Sequence, residues 1–398
     1  MKKILIASHC MEIGGAEKAL LGLLNSIDYE KYQVDLFLCR HEGELYNQIP
    51  ILVNILPSNQ SKFLAVPMKT LIKDKAFKMF YGRLKGKYLA KRKEKELSLK
   101  PDNQIALTYS HKYTYKHIEK INPSVTYDLA ISFLTPHYIV ANKVNAKKKI
   151  AWIHTDYSTI DIDQQTELQM WSQYDYIASI SDKCTESFLE KMPSLKDKII
   201  RIDNILTKEM VLTQSDAFEA LEMKKNGNEI ILCSIGRFSY AKNFDNIPKI
   251  CKQIREAGIN VVWYLIGYGG DKQLIKDKIA ELHMEDYVIM LGKKENPYPY
   301  IKACDFYIQP SRYEGKSVTV REAQILCKPV IITKFPTSSS QLVDGYDGVI
   351  VPLDNNGCAI GIIDFINNKE LQNYIMNNLK NNDYSNSNEI EKIYALME

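Results

Sequence analysis

The chain has 398 residues, 45% of them hydrophobic and 25% charged, with a formal net charge of +4. This balance is that of a soluble globular protein, and the length suits two domains, with room for a third. No stretch reaches the roughly 18 consecutive apolar residues of a membrane span, and the eight cysteines include no C-x-x-C pair to suggest a metal or redox site.

Met1-Lys-Lys followed by the apolar run 4–7 imitates a signal peptide, but the run is too short and no small-residue cleavage site follows. It reads instead as the first strand, over 3–8. Gly14 and Gly15 then open a helix with apolar positions at Ala16, Leu20, Leu21 and Leu24. A glycine pair between strand and helix suits the approach of a phosphate, and a plain tight turn is the ordinary alternative. Further strands fit at 34–39, 51–56, 128–133, 149–154 and 176–180, alternating with helical stretches. That alternation implies a mainly parallel sheet covered on both faces, with ligands at the carboxyl ends of its strands. His154 directly follows Ile150-Ala-Trp-Ile153, and His9 follows the first strand. A histidine in such a place is either functional or a satisfied cap, and sequence alone leaves both open. Residues 1–205 therefore read as one α/β domain, and the cysteines as buried free thiols of a reducing cytosol.

Residues 61–100 stand apart. Their Lys and Arg outnumber Asp74, Glu94 and Glu96 so heavily that this window carries more positive charge than the whole chain. Leu64, Met68, Ile72, Ala76, Phe80, Leu84 and Tyr88 recur every fourth residue, joined by Leu71, Phe77 and Met79, and predict an apolar helical stripe. A basic helix with such a stripe is expected to lie on an anionic membrane surface. In the plain alternative the stripe packs on its own domain, and Pro67, Gly82 and Gly86 interrupt any single long helix.

Residues 206–228 read as a linker, polar from Thr213 to Asn228 and containing the turn Asn226-Gly-Asn. A second strand and helix series follows over 229–380, with strands at 230–235, 260–266, 288–291, 306–308, 330–333 and 349–351 and helices at 244–256 and 272–283. Residues 381–398 end in a helix over 385–398. After the first strand of this series, Gly236-Arg-Phe-Ser-Tyr-Ala-Lys242 brings Arg237 and Lys242 to one strand end. A rigid guanidinium fork and a mobile ammonium together suit a diphosphate. The stretch containing Gly267 fails the dinucleotide-binding test, because G-x-G-x-x-G requires glycine where Lys272 stands. Gly292 and Lys293 follow the third strand. After the fourth, Glu314 falls on a loop and Glu322 on a helix. Between them the backbone N–H groups of Gly315, Lys316 and Ser317 are expected to be free for an anionic ligand.

The E-G-x-x-x-x-x-x-E pattern of Glu314 to Glu322, preceded by Gly-Arg and Lys, resembles the retaining nucleotide-sugar glycosyltransferases of family 4, which have the GT-B fold. The resemblance covers the second half and, more loosely, the first. It implies two Rossmann-like domains facing one another across a cleft, with the first domain on the acceptor side and the last helix crossing back to it. It further implies that Arg237 and Lys242 bind the diphosphate, that Glu314 contacts the donor sugar and Glu322 the ribose, and that His154 lies near the transferred sugar. Gly14, Gly15, Gly236, Gly267, Gly292, Lys293, Gly315, Lys316 and Ser317 would line the donor. Gln341 departs from the acid that many members carry after the Ser-rich loop.

What the resemblance implies for activity is a metal-independent hexosyl transfer without cofactor, from a nucleotide diphospho-sugar to a glycan acceptor, lipid-linked and of capsule or exopolysaccharide type. Asp161-Ile-Asp163 has the spelling of a metal motif but reads as acids at a helix start. The expected place of work is the cytoplasm, at the inner face of the cell membrane, with no nucleic-acid partner. An epimerase or phosphorylase on the same fold, and a nonenzymatic nucleotide-binding scaffold, are the alternatives.

Overall fold

The structure is a computed structural model and describes residues 1–12, 14–98, 104–223, 227–314 and 317–398. Gly315 and Lys316 lie outside the described residues, as do residues 99–100 of the basic segment and Asn226 of the expected turn. The chain forms two compact units, Met1–Leu206 with Asn386–Glu398, and Thr207–Ser385.

In the first unit, β1 (Lys2–Ser8), β2 (Tyr32–Leu38), β3 (Asn54–Leu56), β4 (Tyr127–Ser132), β5 (Ala146–Ile153), β6 (Tyr176–Ser179) and β7 (Ile199–Arg201) form a parallel sheet in the order β3-β2-β1-β4-β5-β6-β7. Helices cover both faces of such a sheet, so its strands read as unbroken apolar runs, as Ile4 to Ala7 and Leu36 to Leu38 do. Leu5, Ala7 and Phe37 join Trp171, Tyr174 and Phe188 in one core. β3 is shorter than the apolar run 51–56 suggests. Val53 N–H bonds back to the Pro50 carbonyl, and this turn turns Ile51 and Leu52 out to solvent.

The short Ile390–Ala395 helix docks on this unit. Tyr394 stacks on Tyr32 with ring centroids 4.1 Å apart, and its hydroxyl accepts the Asp28 N–H at 2.8 Å.

The basic segment corrects the expected stripe. Leu64, Leu71 and Met79 are buried, whereas Ile72, Leu84 and Tyr88 are exposed, so the period-four set does not share a face. One α-helix runs from Phe77 to Glu96 without interruption at Gly82 or Gly86. Its glycines serve close packing: a Cβ on Gly82 would lie 2.7 Å from the Tyr113 carbonyl oxygen, and one on Gly86 2.8 Å from that of Tyr109. The Ile105–Thr114 helix thus approaches along Gly82, Gly86 and Ala90.

In the second unit, β8 (Ile230–Ile235), β9 (Val261–Ile266), β10 (Val288–Gly292), β11 (Phe306–Gln309), β12 (Val330–Thr333) and β13 (Val349–Val351) form a parallel sheet in the order β10-β9-β8-β11-β12-β13. Trp263, Phe244, Ile331 and Ile362 contribute to its core. Described residues of the stretch expected to be a linker pack on this unit instead. Lys208–Ser215 is a helix, Asn296 donates to the Gln214 carbonyl at 2.7 Å, and Glu222 accepts from Lys294 at 2.8 Å and from the Tyr300 hydroxyl at 2.5 Å. Its polar residues serve side-chain bonds to the 294–300 region, which is why composition alone suggested a solvated connection.

Candidate functional site

In the second sheet the chain runs outward from β8 to β9 and β10, then returns to place β11 on the other side of β8. The loops after β8 and β11 therefore diverge from neighbouring carboxyl ends, the switch point at which open parallel sheets hold ligands. Here the two loops are tied together. Arg312 N–H donates to the Ala241 carbonyl at 2.8 Å, and its guanidinium grips both oxygens of Asp245 at 2.9 and 2.7 Å. Asn243, buried and in the left-handed backbone region with φ of 61°, donates its side-chain amide to the Pro310 carbonyl at 2.9 Å. Asn tolerates that backbone better than most residues, which is the signal by which Asn243 could have been noticed.

Across this junction Lys242 forms an ion pair with Glu314. Both Lys242 and the Ser311 hydroxyl, the latter at 2.7 Å, engage Glu314 Oε1, which leaves Oε2 uncommitted among the described residues. Arg237 is exposed and makes no ion pair among the described residues. The loop after β9 packs on that after β8: Phe238 N–H bonds the Tyr268 carbonyl at 2.8 Å, and Gly267, at φ of 149°, would place a Cβ 1.8 Å from the Gly236 carbonyl oxygen. Gly267 is thus explained by loop-on-loop packing. Gly292 ends β10, and Lys293 holds its ammonium 5.3 Å from the Tyr268 ring centroid.

Glu322 lies on the Val318–Ile325 helix and is buried, accepting the Tyr298 hydroxyl at 2.9 Å. Burial and the neighbouring carboxylate hold the Tyr298 phenol well above its ordinary pKa, so it remains a donor. The expectation for Ser317 is corrected. Its N–H is not free but bonds Gln341 Oε1 at 2.6 Å, while Gln341 Nε2 donates to the Ser317 carbonyl at 3.2 Å. A side-chain amide satisfies both groups because it carries one acceptor and one donor.

The buried Gln341 is expected to be intolerant of the acid common at this place. Gln341→Glu keeps the acceptor but sets a carboxylate oxygen against the Ser317 carbonyl, at a cost of about 1–3 kcal/mol. Protonation restores a donor, so the loss should be full above the carboxyl pKa and shrink as pH falls through it. Urea midpoints across pH 4–8 would measure this, and a variant as stable as wild type at neutral pH would refute the clamp.

In the first unit, Gly14 caps the Gly15–Ser26 helix, and Glu17 folds back so closely that a Cβ on Gly14 would lie 2.0 Å from its carboxylate. His154 follows β5 at its carboxyl end, as expected. Burial lowers its pKa to about 4, and its Nε2 has no partner among the described residues. His111 and His137 are pushed to about 3 by burial, so all three rings are neutral at physiological pH. They line a cavity of about 190 Å³ together with Trp152, Trp171 and Glu167. Burial and the charge of Arg40 lower the pKa of His9 as well. Asp163 stands at the N-cap of the Gln164–Trp171 helix and accepts the Tyr109 hydroxyl at 2.8 Å. Among the described residues no group of three or more His, Cys, Asp or Glu could hold a metal ion, and no helix is long and apolar enough to cross a membrane.

Residues 218–382 match the family model for Glycosyl transferases group 1, a span that contains the whole β8–β11 junction. The second unit is thus similar to the glycosyl transferases of group 1. An uncharacterized glycosyltransferase of Methanocaldococcus jannaschii is 26% identical over 52% of this chain and 56% of its own length. The N-acetylgalactosamine-N,N'-diacetylbacillosaminyl-diphospho-undecaprenol 4-alpha-N-acetylgalactosaminyltransferase of Campylobacter jejuni is 26% identical over 37% of this chain and 40% of its own. The chain thus spans about half the length of these curated relatives, or less. Among solved structures, Anabaena HepE in complex with UDP and glucose superposes with a TM-score of 0.60 at 16% identity, covering 99% of both chains. A mutant of S. aureus TarM, in a complex that includes UDP, superposes with a TM-score of 0.62 at 14% identity over all of both chains. The fold is therefore that of the GT-B glycosyltransferases, two parallel-sheet α/β units.

Proposed function

We propose that this protein is a retaining glycosyltransferase that moves a sugar from a nucleotide diphospho-sugar to a hydroxyl of a lipid-linked glycan acceptor in bacterial cell-surface polysaccharide synthesis. The observation that carries this reading is the junction of the β8 and β11 loops, where an exposed Arg237 and the Lys242–Glu314 pair follow the carboxyl ends of two neighbouring strands. Breaking a sugar–phosphate bond develops negative charge on the departing diphosphate, and fixed cations aimed at that charge lower the barrier. Arg237 and Lys242 fill that role. With the Ser317 N–H held by Gln341, the leaving group depends the more on these two side chains. They stand in for a divalent ion, so the transfer is metal-independent and needs no cofactor.

Glu314 keeps an oxygen for a donor-sugar hydroxyl, and Glu322 takes the ribose. The backbones of Gly236, Gly267 and Gly292, with Lys293, line the nucleotide, and Gly315 and Lys316 retain the expected role at the phosphates. In the first unit, Gly14 and Gly15 serve the phosphates and neutral His154 offers a hydrogen bond to the transferred sugar without competing for the anionic leaving group. The undecaprenol-linked substrates named for the Campylobacter jejuni relative, and for an Escherichia coli galactosyltransferase acting on a diphosphoundecaprenol, support a lipid-linked acceptor.

The test is a thermal-shift screen of nucleoside diphosphates and their sugars against the purified protein, since a ligand bound only by the folded state raises its apparent stability. A sugar nucleotide that shifts the midpoint is then incubated with a lipid-diphosphate glycan, with and without chelator. The expected product keeps the donor's anomeric configuration by NMR and forms equally with chelator. An inverted product, or transfer abolished by chelator, would overturn the respective part of the proposal.

A further inference from the structure

We propose that the Phe77–Glu96 helix carries a second apolar face, formed by Phe77, Tyr81, Leu84 and Tyr88, that inserts into the interfacial region of an anionic lipid bilayer. These four positions are spaced by four, three and four residues, which keeps them on one line of an α-helix. They lie opposite Gly82, Gly86 and Ala90, the face packed against the Ile105–Thr114 helix. All four are exposed, from 49% for Leu84 to 67% for Tyr88. A helix apolar on two opposite faces needs two partners, and the fold supplies one.

Charge decides the other. Lys78, Lys85, Lys87, Lys91, Arg92 and Lys95 are exposed on either side of this line and beyond its end, and no acid interrupts the helix before Glu94. An apolar line with bases along its margins matches a bilayer boundary, where the rings enter the acyl edge and lysine stems reach up to anionic headgroups. Tyrosine suits that depth because its ring is apolar and its hydroxyl wet. A second copy of the chain would set two such basic margins against each other. A nucleic acid would place its phosphates on the apolar line.

The inference extends the proposed acceptor reading, on which its biological sense rests, by naming the surface and the residues that meet the membrane. Sedimentation of the full chain with phosphatidylglycerol-containing vesicles, and with pure phosphatidylcholine vesicles, tests it. Tyr81→Ser with Leu84→Ser alters only exposed side chains. Lys87→Glu, Lys91→Glu and Lys95→Glu spare Lys85, which lies over the Tyr113 ring, and Lys93, which pairs with Glu96. Binding should favour anionic vesicles and fall with salt. Each variant set should lower partitioning about ten-fold or more, as the loss of several interfacial contacts does.

Nucleoside diphosphate thermal shifts should stay as in wild type for both variants. Equal recovery with anionic and neutral vesicles, full retention in both variants, or displacement of anionic vesicles by duplex DNA would overturn the inference. Vesicle binding without any nucleotide-induced shift would leave this surface standing and remove the donor reading instead.

Discussion

Arg237→Ala and Lys242→Ala are each expected to lower sugar transfer about a hundred-fold or more at saturating donor, the usual cost of removing one group that stabilises a departing anion. The two losses should differ in their structural side effects. Arg237 is exposed and carries no ion pair among the described residues, so its removal should leave the melting temperature unchanged. Lys242 pairs with Glu314 across the β8–β11 junction, and its removal leaves that carboxylate with the Ser311 hydroxyl alone among the described residues. A partly shielded pair of this kind supports stability by about 1 kcal/mol, so Lys242→Ala should melt slightly earlier yet remain folded. Single-turnover rates with saturating nucleotide sugar, beside melting curves, separate chemistry from stability. Near wild-type transfer in either folded variant would show that the leaving group is stabilised by something else.

The second large effect divides the two glutamates. Glu322→Gln should weaken binding of the free nucleoside diphosphate about ten-fold, the loss expected when a charged hydrogen-bond acceptor to a ribose hydroxyl becomes neutral. Glutamine is chosen over alanine because Glu322 is buried and accepts the Tyr298 hydroxyl, which alanine would leave without its acceptor. Glu314→Gln should leave nucleoside diphosphate affinity within about two-fold and reduce transfer about a hundred-fold, because its contact is to the transferred sugar and strengthens as the bond breaks. Isothermal titration with the nucleoside diphosphate, set beside kcat, reads both outcomes. Equal losses of affinity in the two variants would contradict the division of labour. Since Glu314 also anchors Lys242, a Glu314→Gln protein whose nucleotide affinity rises would instead indicate that the ion pair restrains the lysine.

Most of the two sheets was legible from local pattern. A strand buried on both faces is a short unbroken apolar run, and β8, β12 and β13 fall where such runs do, at Ile230–Ile235, Val330–Thr333 and Val349–Val351. The places of Arg237, Lys242, Glu314 and Glu322 in the fold were legible for a related reason. Each lies within a few residues of a strand's carboxyl end or on the helix that follows, so strand, loop and helix alone place it. What local pattern could not supply were the partners brought together from far along the chain. Gln341 reaches Ser317 across 24 positions, Arg312 reaches Asp245 across 67, and Tyr394 reaches the Asp28 backbone across 366. No local periodicity encodes such pairings, because they depend on which strands become neighbours in the sheet.

The basic helix shows the same division within one element. Its composition declared a charged helix with apolar residues, but a repeat of four drifts around a helix of 3.6 residues per turn, so the period-four stripe could not name the buried side. Packing against the Ile105–Thr114 helix chose Gly82, Gly86 and Ala90, since only glycine and small side chains let the two backbones come so close, and that choice left Phe77, Tyr81, Leu84 and Tyr88 facing outward.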